Sequence, residues 1–209
     1  MKKVHLFFTL DAEESWINTV QAGGYRLSHV TRWLALYTFT PLTKTAPVNP
    51  YTRIDFRNKA MSQRNYADYC QLFADSGWRL ITGSRHGGTQ YFQQTTASAD
   101  HDIFSDSQSR AQSRQRYLQF SLTFMILFFM YAGVSVHNST AGWSGLWHVK
   151  SWYLTPGIWQ MHGGQFWRAM LIETPVAVLR AVPAYVFLIL GLFYLIRVMV
   201  NWPQKRRKR

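Results

Sequence analysis

The sequence predicts an α+β ferredoxin-like (βαββαβ) cytoplasmic domain followed by two transmembrane α-helices. Three observations predict it. The tetrad Gly24-Tyr25-Arg26-Leu27 returns, with Trp in place of Tyr, as Gly77-Trp78-Arg79-Leu80. Each copy follows a stretch of helical periodicity and precedes one rich in aromatic and β-branched residues. The chain of 209 residues then carries two long uncharged runs, and its 47% hydrophobic content is concentrated there.

The elements follow in order. "KVHLFFTL" (3–10) is short, aromatic and reads as a strand. "DAEESWINTVQAGG" reads as a helix with Asp11 as N-cap and Glu14 three residues on as its capping-box partner. Glu13 and Glu14 suit the positive end of the helix dipole. Trp16, Ile17, Val20 and Gln21 share a face, and Gly23-Gly24 end the helix. Residues 25–40 read as a strand, which "PLTKTAPVNP" (41–50) breaks with three prolines. "YTRIDFR" (51–57) alternates like a strand. A second helix within 58–77 places Tyr66, Tyr69, Cys70 and Phe73 on one face and ends at Gly77. "WRLITGS" and "TQYFQQT" (89–95) complete a strand pair around the turn "SRHGG". Two β-α-β halves in sequence give the split β-α-β pattern, one four-stranded antiparallel sheet with two helices on one face.

These readings set the domain organisation. Residues 1–97 form the domain and 98–116 a polar linker that can become helical near Ser107 and run into the membrane. The spans are 117–136 and 176–202, with a Trp-rich segment, 137–175, between them and a basic tail, 203–209. The run "LQFSLTFMILFFMYAGVSV" (118–136) is about 29 Å long as a helix, close to the roughly 30 Å hydrocarbon core. The second run, "AVPAYVFLILGLFYLI" (181–196), is extended by its apolar neighbours, with Arg180 and Arg197 placed to snorkel. The apolar stretch near the N-terminus is too short for a signal peptide. Arg110, Arg114 and Arg116 precede the first run and "KRRKR" follows the second. By the positive-inside rule both termini are cytoplasmic and the protein is multi-pass in the cytoplasmic membrane. The net charge of +13 follows largely from this membrane pattern, not from a nucleic-acid footprint. Trp143, Trp147, Trp152, Trp159 and Trp167 suggest an interfacial belt lying on the outer surface.

The motifs "EESWINTVQAGGYRL", "RIDF", "FADSGWRLI", the "YF" strand and "DIFSD", followed by two spans, resemble the domain of unknown function 2812 family. The resemblance covers about residues 4–107 and, in layout only, the spans. It implies a small bacterial membrane protein with a cytoplasmic domain and hints at regulation. It supplies no reaction and no catalytic residues.

Chemistry-bearing clusters are few. Asp11, Glu13 and Glu14 could serve acid–base catalysis, but a helix start explains them. Asp100, Asp102 and Asp106 lie beside His101 in the linker, without the glycine and closing glutamate of an EF-hand. No phosphate loop, dinucleotide fingerprint or nucleophile elbow occurs, so no cofactor is expected. Cys70 stands alone, and the histidines lack metal spacing. Arg85 and His86 lie on a glycine-bearing turn that could meet an anion or a partner. The ferredoxin-like order also serves RNA-binding domains, but "YTRIDFRN" lacks their aromatic signature, and nucleic acid is not expected as a partner. The expected partners are the lipid bilayer, a protein that is a regulator or a membrane complex, and a second copy of the chain. The expected role is a non-enzymatic regulator or sensor. An accessory subunit of a transporter complex is the alternative, and an enzyme using Asp11, Glu13 and Glu14 is a second.

Overall fold

The computed structural model describes residues 1–42, 50–95, 107–139 and 142–202. The proline-rich stretch 43–49, the acids Asp100, Asp102 and Asp106 with His101, and the basic tail 203–209 lie outside the described residues. The fold is mixed α+β, with two three-stranded sheets and two long apolar helices. Its contacts divide into one unit of Met1–Phe120 with Met199–Arg209 and another of Ser121–Val198.

The N-terminal unit runs β1 (Lys2–Val4), α1 (Leu10–Ala22), β2 (Tyr25–Thr31), β3 (Leu36–Pro41), β4 (Thr52–Arg57), α2 (Gln63–Asp75), β5 (Trp78–Thr82) and β6 (Gly88–Gln94). The sheets are β1-β3-β2 and β4-β6-β5, antiparallel throughout. This corrects the single four-stranded sheet: the repeated unit is β-α-β-β, present twice. The stretch 25–40 is a hairpin. Its strands part at a 3-10 turn, Arg32–Leu34, closed by Ala35 at φ 48°. No glycine, proline or asparagine marks that turn, so its sequence reads as unbroken strand. The first strand is also shorter than expected. Thr9, not Asp11, caps α1, its hydroxyl accepting from Ala12 N at 3.1 Å.

The two halves match at a constant offset of 53 residues, the offset of Leu10 from Gln63 and of Ala22 from Asp75. The caps Thr9 and Ser62 correspond, and each accepts from the backbone three residues on. Gly24 (φ 87°) and Gly77 (φ 81°) both stand between helix and strand in the left-handed region that glycine enters without a Cβ clash. The hairpins share register: Leu27 faces Phe39 as Leu80 faces Phe92. Each carries an irregularity one step later, between Leu27 and His29 and between Leu80 and Thr82. Trp16 meets Phe39 edge-on at 5.9 Å, and the corresponding Tyr69 meets Phe92 at 5.6 Å.

The halves join through corresponding strands, as two copies do about a dyad. Strands β2 and β5 are neighbours, with Val30 N donating to Thr82 Oγ1 at 3.1 Å. One core unites α1, the first sheet and one face of the second: Leu10, Ile17, Leu27, Val30, Phe39, Ile54 and Phe56. A smaller core of Tyr69, Trp78 and Phe92 lies under α2 on the other face.

In the Ser121–Val198 unit, α3 (Ser107–His137) and α4 (Gly163–Asn201) contribute their apolar lengths. In full they extend about 46 and 58 Å. Both are long and apolar enough to cross a membrane. The linker is helical from Ser107, where the sequence reading places the onset of helix, and α4 starts well before 176, running through Pro175 and Pro183. The Trp-rich segment folds as three 3-10 turns pinned to α4. Glu173 accepts from Leu154 N and Thr155 N, Arg180 donates to Trp152 O, and Tyr185 OH donates to Leu146 O at 2.7 Å.

Candidate functional site

Strand β4 is an edge strand, and its outward backbone groups would stand unpaired. Side chains occupy them. Asn18 of α1 donates to Thr52 O at 3.0 Å and accepts from Thr52 N at 2.8 Å. Glu14 accepts from Ile54 N at 3.1 Å. Ser113 of α3 accepts from Phe56 N at 3.0 Å, and Arg116 Nε donates to Phe56 O at 2.9 Å. The edge at Thr52, Ile54 and Phe56 is thus closed by two helices.

Asp55 sits at the centre of this edge, 2% exposed. Alternation along β4 sends Ile54 and Phe56 into the larger core and turns Asp55 to the opposite face, towards α2. Tyr69 OH donates to Oδ2 at 2.8 Å. Ser113 Oγ donates to Oδ1 at 2.7 Å, Arg116 Nη2 at 3.1 Å and Phe56 N at 2.8 Å. Arg57 Nε lies 3.2 Å from Oδ2, with its guanidinium over the Tyr69 ring. Burial holds the Tyr69 phenol far above its ordinary range, and the Asp55 charge adds to this, so it remains a donor. Hydrogen bonds from Tyr69, Ser113, Phe56 N and Arg116 occupy the lone pairs of one carboxylate, and the Arg57 cation lies beside it as an ion pair. This is a clamp joining β4, α2 and α3, with no free electron pair aimed at a substrate. Tyr117 completes it, buried edge-on against Phe56 at 5.2 Å.

A second buried carboxylate belongs to Glu13. It accepts from Tyr37 OH at 2.7 Å and from Tyr91 OH at 2.5 Å, one phenol from each half. Burial and the Glu13 charge raise both phenols. The matching pair in the second half, Tyr66 OH donating to Gln90 Oε1 at 3.1 Å, reverses the donor and acceptor elements. Burial pushes Tyr66 up to about 12. Gln21 forms a third node. Its Oε1 accepts from Leu27 N, Thr52 Oγ1 and Gln93 Nε2, while Gln93 Oε1 accepts from Arg26 Nε at 2.7 Å.

The acids singled out from the sequence therefore diverge. Asp11 pairs with Arg114 at 2.8 Å, Glu13 meets the two tyrosines, and Glu14 pairs with Arg53. Burial raises the Glu14 carboxyl against the pull of Arg53. The repeat residues also differ between halves: Arg26 is drawn to Gln93, whereas Arg79 is exposed, and Trp78 is buried where Tyr25 is half-buried. Leu27 and Leu80 face the strands paired with them. Arg85 and His86 are exposed on the β5–β6 turn, where Arg85 O accepts from Met61 N at 2.7 Å. Trp152 donates from Nε1 to Gly145 O, and Trp143, Trp147, Trp159 and Trp167 are exposed. Among the described residues no three His, Cys, Asp or Glu side chains group to hold a metal.

The residues of the clamp lie far apart in sequence, and the comparison with known families spans them. A family model described as "Protein of unknown function (DUF2812)" matches residues 9–126. The chain belongs to this family. No curated protein and no solved structure matches it. The DUF2812 match includes both helices of the duplicated domain, Asp55, and the first turns of α3 with Ser113, Arg116 and Tyr117. Sequence reasoning passed over Asp55. Its signal was an acid between Ile54 and Phe56 in a strand flanked by Arg53 and Arg57, and its partners stand at Ser113 and Arg116 on the polar start of a long helix.

Proposed function

We propose that this chain is a two-span bacterial membrane protein of regulatory or sensing type, with both termini cytoplasmic and no catalytic activity. Its N-terminal domain binds a protein partner and passes that event to the first span. We read the domain as a duplicated relative of the ferredoxin-like fold, since each half keeps the strand order of the first three strands of a split β-α-β unit. The observation that carries the functional reading is the Asp55 clamp. It makes the start of α3 part of the domain, where a free linker would isolate the two. A packed, hydrogen-bonded element of this kind can carry coupling between the two. The orientation rests on Arg110, Arg114 and Arg116 before α3 and the basic tail after α4.

The test is purification of the full chain in mild detergent, followed by addition of the recovered partner. A spin label at Ile126→Cys in a Cys70→Ser background should change its spectrum when the partner binds. The change should vanish in the Ser113→Ala, Arg116→Gln variant while binding persists. Repeated recovery of a transporter would favour the accessory-subunit reading instead. A label that never responds would leave the chain a passive anchor and end the sensing reading.

A further inference from the structure

The N-terminal unit exposes an apolar tip. Val4, Leu6, Trp33 and Leu34 are 70%, 65%, 83% and 46% exposed. They lie on adjoining segments, because Val4 pairs with Leu36 and His5 N donates to Ala35 O at 3.1 Å. The turn that carries Trp33 is held in place. Arg32 Nη1 donates to Gly87 O and Thr89 O, both at 3.3 Å, and Ala35 is fixed at positive φ, a conformation that L-residues disfavour.

The second half supplies an internal control. At the offset of 53, Arg32-Trp33-Leu34-Ala35 corresponds to Arg85-His86-Gly87-Gly88. Gly88, at φ 91°, occupies the place of Ala35. The same hairpin is thus closed there by His-Gly-Gly, with no exposed aromatic. The fold does not require Trp33 and Leu34, so their exposure calls for an occupant.

Position identifies that occupant. Phe8 O accepts from Tyr117 OH at 3.4 Å and from Asn201 Nδ2 at 2.7 Å, where α3 and α4 join this unit. Leu6 is two residues away, at most about 7 Å of chain. The tip therefore stands at the end of the unit that carries the two long apolar helices. The exposed Trp202 marks the same end, and the exposed Lys2 and Lys3 flank the tip. Tryptophan, leucine and lysine together suit a headgroup–acyl boundary.

We propose that this tip inserts into the bilayer leaflet facing the N-terminal unit, with Trp33, Leu34 and Leu6 at the headgroup–acyl boundary and Lys2 and Lys3 against anionic headgroups. This contact is separate from the two spans and does not depend on the partner proposed above. It holds the duplicated domain against the membrane surface.

Full-length chain would be reconstituted in phosphatidylcholine vesicles, with or without phosphatidylglycerol. An environment-sensitive dye would be placed at Leu34→Cys or, as control on α2, at Leu72→Cys, both in a Cys70→Ser background. The dye at 34 should emit blue-shifted from the dye at 72. Lipids carrying a quencher near the headgroup should quench it, more so with phosphatidylglycerol. A dye at 34 that stays as water-exposed as the one at 72 in both lipids would overturn the proposal. So would a dye at 34 that is shielded only when a protein partner is added. A second arm places the dye at Leu6→Cys and introduces Trp33→Asp with Leu34→Asp. With the melting temperature unchanged in detergent, quenching at 6 should be lost; retained quenching would overturn the proposal.

Discussion

At the scale of single residues, the chain uses buried carboxylates as joints. Asp55 receives hydrogen bonds or ion-pair contacts from β4, α2 and α3, so its charge matters more than its volume. Asp55→Asn keeps the size and leaves Arg57 and Arg116 without their counter-charge. Both arginines reach some solvent, so the expected loss is about 2–3 kcal/mol, at the low end for a broken buried pair. Chemical denaturation of the full chain in detergent would measure it, and a loss below a few tenths would show that water replaces the carboxylate. Glu14 behaves differently. Its folded pKa is raised, because burial outweighs Arg53 and Ile54 N. The folded state then binds the proton more tightly than the unfolded state. The contribution of Glu14 to stability therefore falls as pH rises above the ordinary glutamate value of 4.5. Stability of the wild type minus that of Glu14→Gln should decline as pH rises through that window. A difference that grows with pH would mean that the ion pair with Arg53 prevails over desolvation.

At the scale of elements, the edge of β4 is the feature that sets the architecture. Its backbone is paired on one side by β6 and on the other by side chains of α1 and α3. Asn18→Ala would uncover Thr52 N and O, at an expected cost of about 1–2 kcal/mol. It would also open a pairing edge, so light scattering should detect association that the wild type lacks at this strand. Gly24→Ala and Gly77→Ala should cost similar amounts, about 1 kcal/mol or somewhat more each, because both residues hold positive φ at corresponding places. Unequal melting losses would argue that the halves have diverged at their helix exits. These elements differ in how far the sequence shows them. The helix exits were legible, because only glycine suits their backbone. The helical faces of Tyr66, Tyr69, Cys70 and Phe73 were legible from spacing. The turn at Arg32–Ala35 was not, because a left-handed alanine carries no sequence mark, and missing it merged two strands into one. The β4 edge was hidden for another reason. Its partners are Asn18, Glu14, Ser113 and Arg116, which local periodicity reads as solvated helix residues. Only the folded chain brings them to one strand.

At the scale of the whole molecule, the duplicated domain takes in the later part of the expected polar linker. Ser113 and Tyr117 are buried in the N-terminal unit, and the family match ends inside α3, not before it. The first turns of α3 therefore pack as part of the domain and should share its cooperative unit, although the same helix continues into an apolar length suited to a membrane. Segments that share one cooperative unit exchange their amides through one opening reaction. In the full chain in detergent, amides of α3 around Ser113–Tyr117 should exchange with the same opening free energy as those of β4. Asp55→Asn should raise exchange in both together and leave the tyrosine-linked hairpin of β2 and β3 less affected, because that hairpin is tied through Glu13 and Gln21 instead. Exchange of the α3 root that is faster than that of β4 in the wild type would make the root a frayed extension and not a joint. The route from the domain to the span would then have to run elsewhere, through Asn201 of α4 and its bond to Phe8 O.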